Sequence, residues 1–443
     1  MRLLVISYHH PSNGEVGGLR WAGLSKYLGG HDWETWFLTA APLVAGQSAR
    51  GVTVESVRPG HTPSELYRRA RRAAPLPLPP HRADLQGNGG GTRGARVLRT
   101  LLRPLGAMRS EASGLLYMLS EGEGWTLRAA KRARAVIKRI NPDVVVSSGP
   151  PHMAHVAAWL ATRGKRVRWI VDLRDPWAGP VAKAWQEQHD RGSRIADTIT
   201  AAAERLIFRS AAGVFTTTRE LAAALTARYP HVSVTWVPNG ADPEALPERS
   251  TQPFRGLGIA HLGTLYGGRD PTPVLRALRL FFDRFPEARR DGTMFRHAGS
   301  QESAHAAATR RVVEELDLGE YVTLQRSLPR AAALDLLARS KLAVVLAQDQ
   351  DFQVPSKLYE SIVMGIPTLV IAAHDSASAR EGERVGAFVA APDEIEQIAT
   401  LLERIWTGAR LPEAADSAPC DYRSVAPTVS RLLGGKNLVE ALA

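Results

Sequence analysis

Short apolar runs alternate along this chain with longer segments in which apolar residues recur three and four positions apart. Arg2 to Ser7 (RLLVIS) reads as a strand, and Trp21, Leu24 and Leu28 then fall on one side of a helix over Leu19 to Leu28. Strands are predicted at Glu34 to Thr39 and Val52 to Val57. A basic helix over Trp125 to Ile140 leads through Pro142 into a strand at Asp143 to Ser147. Met153 to Thr162 and Ala196 to Ser210 are predicted helices, with strands at Arg168 to Val171, Gly213 to Thr216 and Val232 to Val237. Strand, glycine-bearing loop, helix and strand in repetition predict an α/β, doubly wound domain with ligands at the carboxyl ends of its strands. The breaker-rich stretch Leu246 to Arg255 (LPERSTQPFR) marks a boundary. A second α/β unit follows, with strands at about Gly258 to Leu262, Thr293 to His297, Tyr321 to Leu324, Leu342 to Leu346 and Thr368 to Ile371.

One stretch of the second unit crowds polar chemistry into a helix start. In Phe352 to Ala372 (FQVPSKLYESIVMGIPTLVIA), Pro355 suits a helix entrance, Gly365 a left-handed stop, and Thr368 to Ala372 a strand buried on both faces. Ser356, Lys357 and Glu360 lie in the first turns, with Glu360 on the same face as Lys357. A helix start with a lysine favours a phosphate, and a carboxylate one turn along suits sugar hydroxyls. An ordinary surface Lys357/Glu360 pair is the alternative. The loop Gly263 to Asp270 (GTLYGGRD) contributes glycines and one cation, Arg269, which would complete a diphosphate cradle.

In the first unit, Gly17 and Gly18 in YHHPSNGEVGG either let a backbone approach a phosphate or merely turn the chain; no GxGxxG fingerprint is present. SGPPH (148–152) places His152 after a strand. DLRDPW (172–177) places two carboxylates, an arginine and a tryptophan after another, a set suited to a cleft, with a structural Arg174 ion pair as the alternative.

Composition narrows the class. With 443 residues, 44% hydrophobic and 23% charged, the chain is globular and long enough for two or three domains. No run approaches the ~18 apolar residues of a membrane span, and Met1 to Ser7 is too short for a signal-peptide core, so a cytoplasmic location is expected. The single cysteine, Cys420, leaves no internal disulfide and no zinc cluster. The net charge of +12 is concentrated: between His61 and Ser110 ten arginines, Arg68 to Arg109, face only Glu65 and Asp84. Leucines interleave with these arginines, so the segment suits either an anionic membrane surface or a flexible cover over substrate; few aromatics argue against nucleic acid.

Taken in order, the glycine loop before Leu19, SSGPPH, DLRDPW, VPNGAD (237–242), HLGTLYGGRDP (261–271) and PSKLYESIVMGIP (355–367) resemble the retaining glycosyltransferases of family 4. The resemblance implies the GT-B architecture: two Rossmann-like domains facing a central cleft, with an acceptor-binding domain at 1–245 bearing a flexible insert at about 61–119. A donor-binding domain at 246–424 would follow, and then a helix at 425–443 that packs back. It implies a nucleotide-diphosphate sugar donor, UDP- or GDP-linked, a hydroxyl acceptor, and transfer with retention and without a metal or other cofactor. Arg269 and Lys357 match the pair that stabilises the leaving diphosphate, and Glu360 matches the second glutamate of the family's E-x7-E motif. Asp175 and His152 are expected in the catalytic set, and Gly17, Gly18, Gly263, Thr264, Ser356 and Tyr359 along the bound substrate. Two departures stand out: Phe352 occupies the first glutamate position of that motif, and Thr264 the position of an arginine often found there. A catalytically degenerate or polyanion-binding protein and a nucleotide-sugar epimerase are the rival readings.

Overall fold

The computed structural model describes residues 1–10, 16–40, 52–61, 111–112, 114–116, 118, 124–180, 182, 193–266, 269–300, 303–409 and 420–435. The basic stretch Arg68 to Arg109, the glycines 267 and 268, and residues 436–443 lie outside the described residues.

The first sheet contains β1 (Arg2–Ser7), β2 (Glu34–Thr39), β3 (Val52–Ser56), β4 (Val144–Gly149), β5 (Arg168–Leu173), β6 (Gly213–Thr216) and β7 (Val234–Trp236), in the order β3-β2-β1-β4-β5-β6-β7. β1 is central and pairs in parallel with both β2 and β4, Leu4 lying opposite Trp36 on one side and Val145 on the other. Leu3 to Ile6 are fully buried, as a strand covered on both faces requires. The strand order reverses between β1 and β4. The helices are α1 (Leu19–Leu28), α2 (Thr126–Ile140), α3 (Met153–Thr162), α4 (Arg194–Ser210) and α5 (Arg219–Arg228).

The second sheet contains β8 (Gly258–Leu262), β9 (Met294–Ala298), β10 (Val322–Gln325), β11 (Leu342–Leu346), β12 (Thr368–Ile371) and β13 (Phe388–Ala390), in the order β10-β9-β8-β11-β12-β13. The order reverses between β8 and β11, which pair in parallel through Val344 and His261. Its helices are α6 (Thr272–Arg284), α7 (Ser303–Glu315), α8 (Arg330–Ala338), α9 (Lys357–Val363), α10 (Ala377–Arg384), α11 (Ile395–Trp406) and α12 (Tyr422–Gly434). Phe281, Phe282, Phe295 and Leu278 fill the core between α6 and the sheet.

Contacts divide the chain into two compact units: Met1–Gly18, Asp32–Phe215 and Thr226–Thr235, and Leu19–His31, Thr216–Leu225 and Trp236–Ala443. α1 falls in the second unit because it packs on α12. Gly23 permits that approach, since a Cβ there would lie 2.3 Å from the Tyr422 ring. Arg20, on the buried side of α1, donates to the carbonyls of Val237 and Pro238 and to Asn239 Oδ1, so it holds the first half of VPNGAD in place.

Two boundaries differ from expectation in ways that matter. β5 continues through Asp172 and Leu173, so the first carboxylate of DLRDPW is a strand residue. β13 was not foreseen, because three residues after a glycine give no periodicity to read.

Candidate functional site

In the second unit, the loops after β8 and β11 meet at the point where the strand order reverses, which is where an open α/β sheet forms a crevice. Gly263 ends β8 with φ +153, in a region that favours glycine. The loop after β9 crosses directly against it: a Cβ on Gly299 would lie 1.7 Å from the Gly263 carbonyl oxygen. Thr264 is 3.0 Å from Ser300, hydroxyl to hydroxyl, fixing the two loops side by side.

Arg269 lies half-buried on this loop. Its guanidinium sits 5.1 Å from the Tyr266 ring centroid, and Nη2 makes a long 3.5 Å contact with Gln350 Oε1. No carboxylate among the described residues pairs with it, and its Nε is buried without a hydrogen-bond partner. Two glutamines after β11 bind this loop. Gln348 Nε2 donates to the Asp270 carbonyl at 2.7 Å while its Oε1 accepts from the Asp270 N–H, and Gln350 Nε2 donates to Tyr266 Oη at 3.0 Å. The chain that carries Gln348 and Gln350 then runs on to α9. Arg269 and the Lys357 segment are thereby brought to the same edge of one sheet.

Helix α9 has seven residues, so its cationic character rests on Lys357 more than on a long macrodipole. Ser356 is its half-exposed N-cap and makes no side-chain capping bond. Gly365, with φ +67, supplies the expected left-handed stop. Lys357 Nζ donates to Glu360 Oε2 at 2.5 Å, and Arg330 Nη1 donates to Glu360 Oε1 at 2.9 Å. Glu360 is only 3% exposed. Two cations on one carboxylate leave the cluster with one positive charge in excess, on the partly open Lys357 and Arg330. Both Glu360 oxygens are engaged, a different state from the open acceptor expected for sugar hydroxyls. Tyr359 is fully buried and donates to Glu381 Oε1 at 3.0 Å, which places it in the core beneath the helix rather than along a bound substrate.

Phe352 meets the rest of the unit through its backbone, its carbonyl accepting from Thr218 Oγ1 at 3.0 Å. The flanking carbonyls of Asp351 and Gln353 accept from Ala377 N and Ser378 Oγ. Asp349 and Asp351 are both exposed, and Asp349 adopts φ +56. Beneath the Gly263–Gly299 crossing, His261 and His297 stack with centroids 5.4 Å apart. His261 Nδ1 reaches the Val344 carbonyl, whereas His261 Nε2 is buried without a hydrogen-bond partner. Burial pushes His261 down to about 3 and His297 to about 4.

In the first unit, the loops after β1, β4 and β5 are gathered by one side chain. Arg174 donates to three backbone carbonyls: Gly149 at 3.0 Å, Gly17 at 2.6 Å and Pro150 at 2.5 Å. Gly17 is also constrained sterically, because a Cβ there would lie 2.7 Å from the His9 ring; Gly18 is buried beside it. His152 stacks on Trp177 with centroids 5.3 Å apart. Burial, the neighbouring His155 and Arg174 hold His152 well below the usual histidine range, so it is neutral at pH 7. Asp172 is fully buried and accepts from Ser148 Oγ at 2.7 Å, whereas Asp175 is half-exposed. Besides the ion pair that the sequence leaves open for it, Arg174 sets the loop positions through these carbonyls.

Arg330, Gln348 and Gln350 were not anticipated. Arg330 lies thirty positions before its partner Glu360, beyond the reach of any helical or strand spacing. The glutamines follow an apolar strand directly and are buried, a pattern visible in the sequence but without charge to single it out. Among the described residues no cluster of His, Cys, Asp and Glu is arranged to hold a metal ion, and no helix is long and apolar enough to cross a membrane.

Residues 38–240 match the model of the glycosyl transferase 4-like domain. No curated protein matches the sequence. Among solved structures, the fold is similar to HepE of Anabaena in complex with UDP, at 13% identity and a TM-score of 0.55, over 100% of this chain and 97% of that one. Sucrose-phosphate synthase of Thermosynechococcus elongatus is similar at 13% identity and a TM-score of 0.54, over 99% of this chain and 96% of that one. A glycosyltransferase of Rickettsia africae is similar at 11% identity and a TM-score of 0.52, over 100% and 95% respectively.

Proposed function

From a chain that has a glycosyl transferase 4-like domain over residues 38–240 and the GT-B fold of glycosyltransferases, we propose an enzyme that moves a sugar from a nucleotide-diphosphate donor to an acceptor hydroxyl with retention of configuration. The observation that supports this reading most is the crevice between β8 and β11. There Arg269, without an ion partner among the described residues, lies on the loop after β8, and Lys357, in a cluster with excess positive charge, starts the helix that follows β11, at the edge where this fold takes its ligands.

Departure of a nucleoside diphosphate builds negative charge on the leaving oxygens while the sugar becomes cation-like. Fixed cations in a sheltered crevice stabilise that charge more in the transition state than in the ground state. In this reading Lys357 and Arg269 contact the diphosphate, and Gly263, Thr264 and Ser356 border it. Glu360 acts chiefly by holding Lys357 in place, with Arg330 holding Glu360. The acceptor lies against the first unit's loops, where Asp175 and neutral His152 are the polar groups offered. HepE of Anabaena binds UDP, which makes UDP-sugars the first donors to screen.

The test is turnover with a panel of UDP- and GDP-sugars and simple acceptors, with the anomeric configuration of the product read by NMR. Lys357→Ala is expected to lower turnover at least about tenfold, ~1.4 kcal/mol in barrier. Near-wild-type turnover in that variant would place the donor elsewhere, and a nucleotide-sugar epimer formed without acceptor would favour the epimerase reading.

A further inference from the structure

Helix α4 carries two apolar faces where a surface helix needs one. Ala196, Thr200, Ile207 and Phe208 point into the first unit and are buried. On the opposite side Ile195, Ile199 and Leu206 are 55%, 46% and 48% exposed, a stripe at positions i, i+4 and i+11. They are three of the five large hydrophobic residues exposed among the described residues. Local structure does not account for them: isoleucine is a poorer helix former than the Lys, Gln or Glu that usually face water. Exposed apolar residues that line up on one face mark a surface that meets a partner.

The charges around the stripe identify that partner's chemistry. Arg194, Arg205 and Arg209 are exposed on the same helix. Helix α3 packs against both α4 and α2, so α2 belongs to the same layer of the unit. α2 contains no Asp or Glu, and exposes Lys131 and Lys138 together with Leu127, which is 73% exposed. A second copy docking by a two-fold axis would set these arginines against their own equivalents, which is unfavourable. An apolar stripe with three arginines on its own helix, and with a basic helix in the same layer, suits lipid tails edged by anionic headgroups even with the Glu111 carboxylate at the helix start.

We propose that the outer face of α4, aided by α2, docks the protein on an anionic lipid surface. Ile195, Ile199 and Leu206 enter the headgroup boundary, and the lysines and arginines contact lipid phosphates. This is independent of the donor reading and of the Arg68 to Arg109 segment.

Co-sedimentation of the full chain with phosphatidylcholine vesicles, with and without phosphatidylglycerol, tests it. The wild type is expected on phosphatidylglycerol-containing vesicles, less so as salt is raised. The triple variant Ile195→Gln/Ile199→Gln/Leu206→Gln should bind at least about tenfold more weakly, since three side chains lose their apolar burial. Its melting temperature should stay near that of the wild type, because all three positions face solvent. Lys131→Gln/Lys138→Gln should weaken binding to a lesser degree and only at low salt. Absence of wild-type binding, or a folded triple variant that binds like the wild type, would overturn the proposal. So would a wild-type dimer in solution that the triple variant abolishes, because a second copy would then be the partner.

Discussion

At the scale of single residues, the candidate donor site depends on how one carboxylate is shared. Glu360 holds Lys357 at 2.5 Å and is itself held by Arg330 at 2.9 Å. If Glu360 acts through Lys357, Glu360→Gln should raise KM for the donor more than it lowers kcat, whereas Lys357→Ala should lower kcat by the tenfold given above. Arg330→Gln should behave like a milder Glu360→Gln, because Glu360 then keeps only one cation. Equal and full loss of kcat in all three would instead make Glu360 a direct contact of the reacting sugar. The Lys357–Glu360 pairing was legible from spacing on one helix face, but its burial was not, since burial depends on Arg330 arriving from another element. Asp172 was misjudged for a related reason: a carboxylate after an apolar run looks like a loop ligand unless Ser148, from the neighbouring strand, is known to satisfy it.

The stacked histidines carry a pH signature. His261 and His297 stay neutral in the fold down to about 3 and about 4, whereas in the unfolded chain a histidine charges near 6.5. Below about pH 6.5 the unfolded state takes up protons that the fold excludes, so stability should fall progressively toward pH 4 and be fully present above pH 7. Denaturant midpoints between pH 7.5 and 5 check this, and His297→Gln should flatten the slope.

At the scale of elements, both sheets were largely readable because their strands are buried on both faces and appear as continuous apolar runs. β1, β2, β8, β11 and β12 begin and end where the residue pattern places them. What the pattern lacked was the crossing of loops. Gly263 was recognised as a loop glycine, but the need for Gly299 arises from a backbone approach between two loops and leaves no local trace. Gly299→Ala is therefore expected to destabilise the protein by about 1–3 kcal/mol and to weaken nucleotide binding with it, because the β8 loop must move. Gly365→Ala meets open space and only the left-handed backbone opposes it, so its cost should be about 1 kcal/mol with nucleotide binding retained. Chemical denaturation of the two variants, with and without nucleotide, separates these effects.

At the scale of the whole molecule, a strand order that reverses between β1 and β4, and again between β8 and β11, gives each unit a crevice at the carboxyl ends of its strands. The first is organised by Arg174 on three carbonyls and offers neutral or singly charged groups; the second offers cations. That division suits the proposed acceptor in one and the proposed diphosphate in the other. The most direct measurement is thermal unfolding of the wild type and of Lys357→Ala with UDP, GDP, ADP and dTDP. A nucleotide at ~100 times its dissociation constant adds about 2.7 kcal/mol of stability. A clear rise in melting temperature is expected with one diphosphate, UDP first among them, and a much smaller one in Lys357→Ala. No rise with any of the four, or a rise that Lys357→Ala leaves intact, would contradict a donor site between β8 and β11.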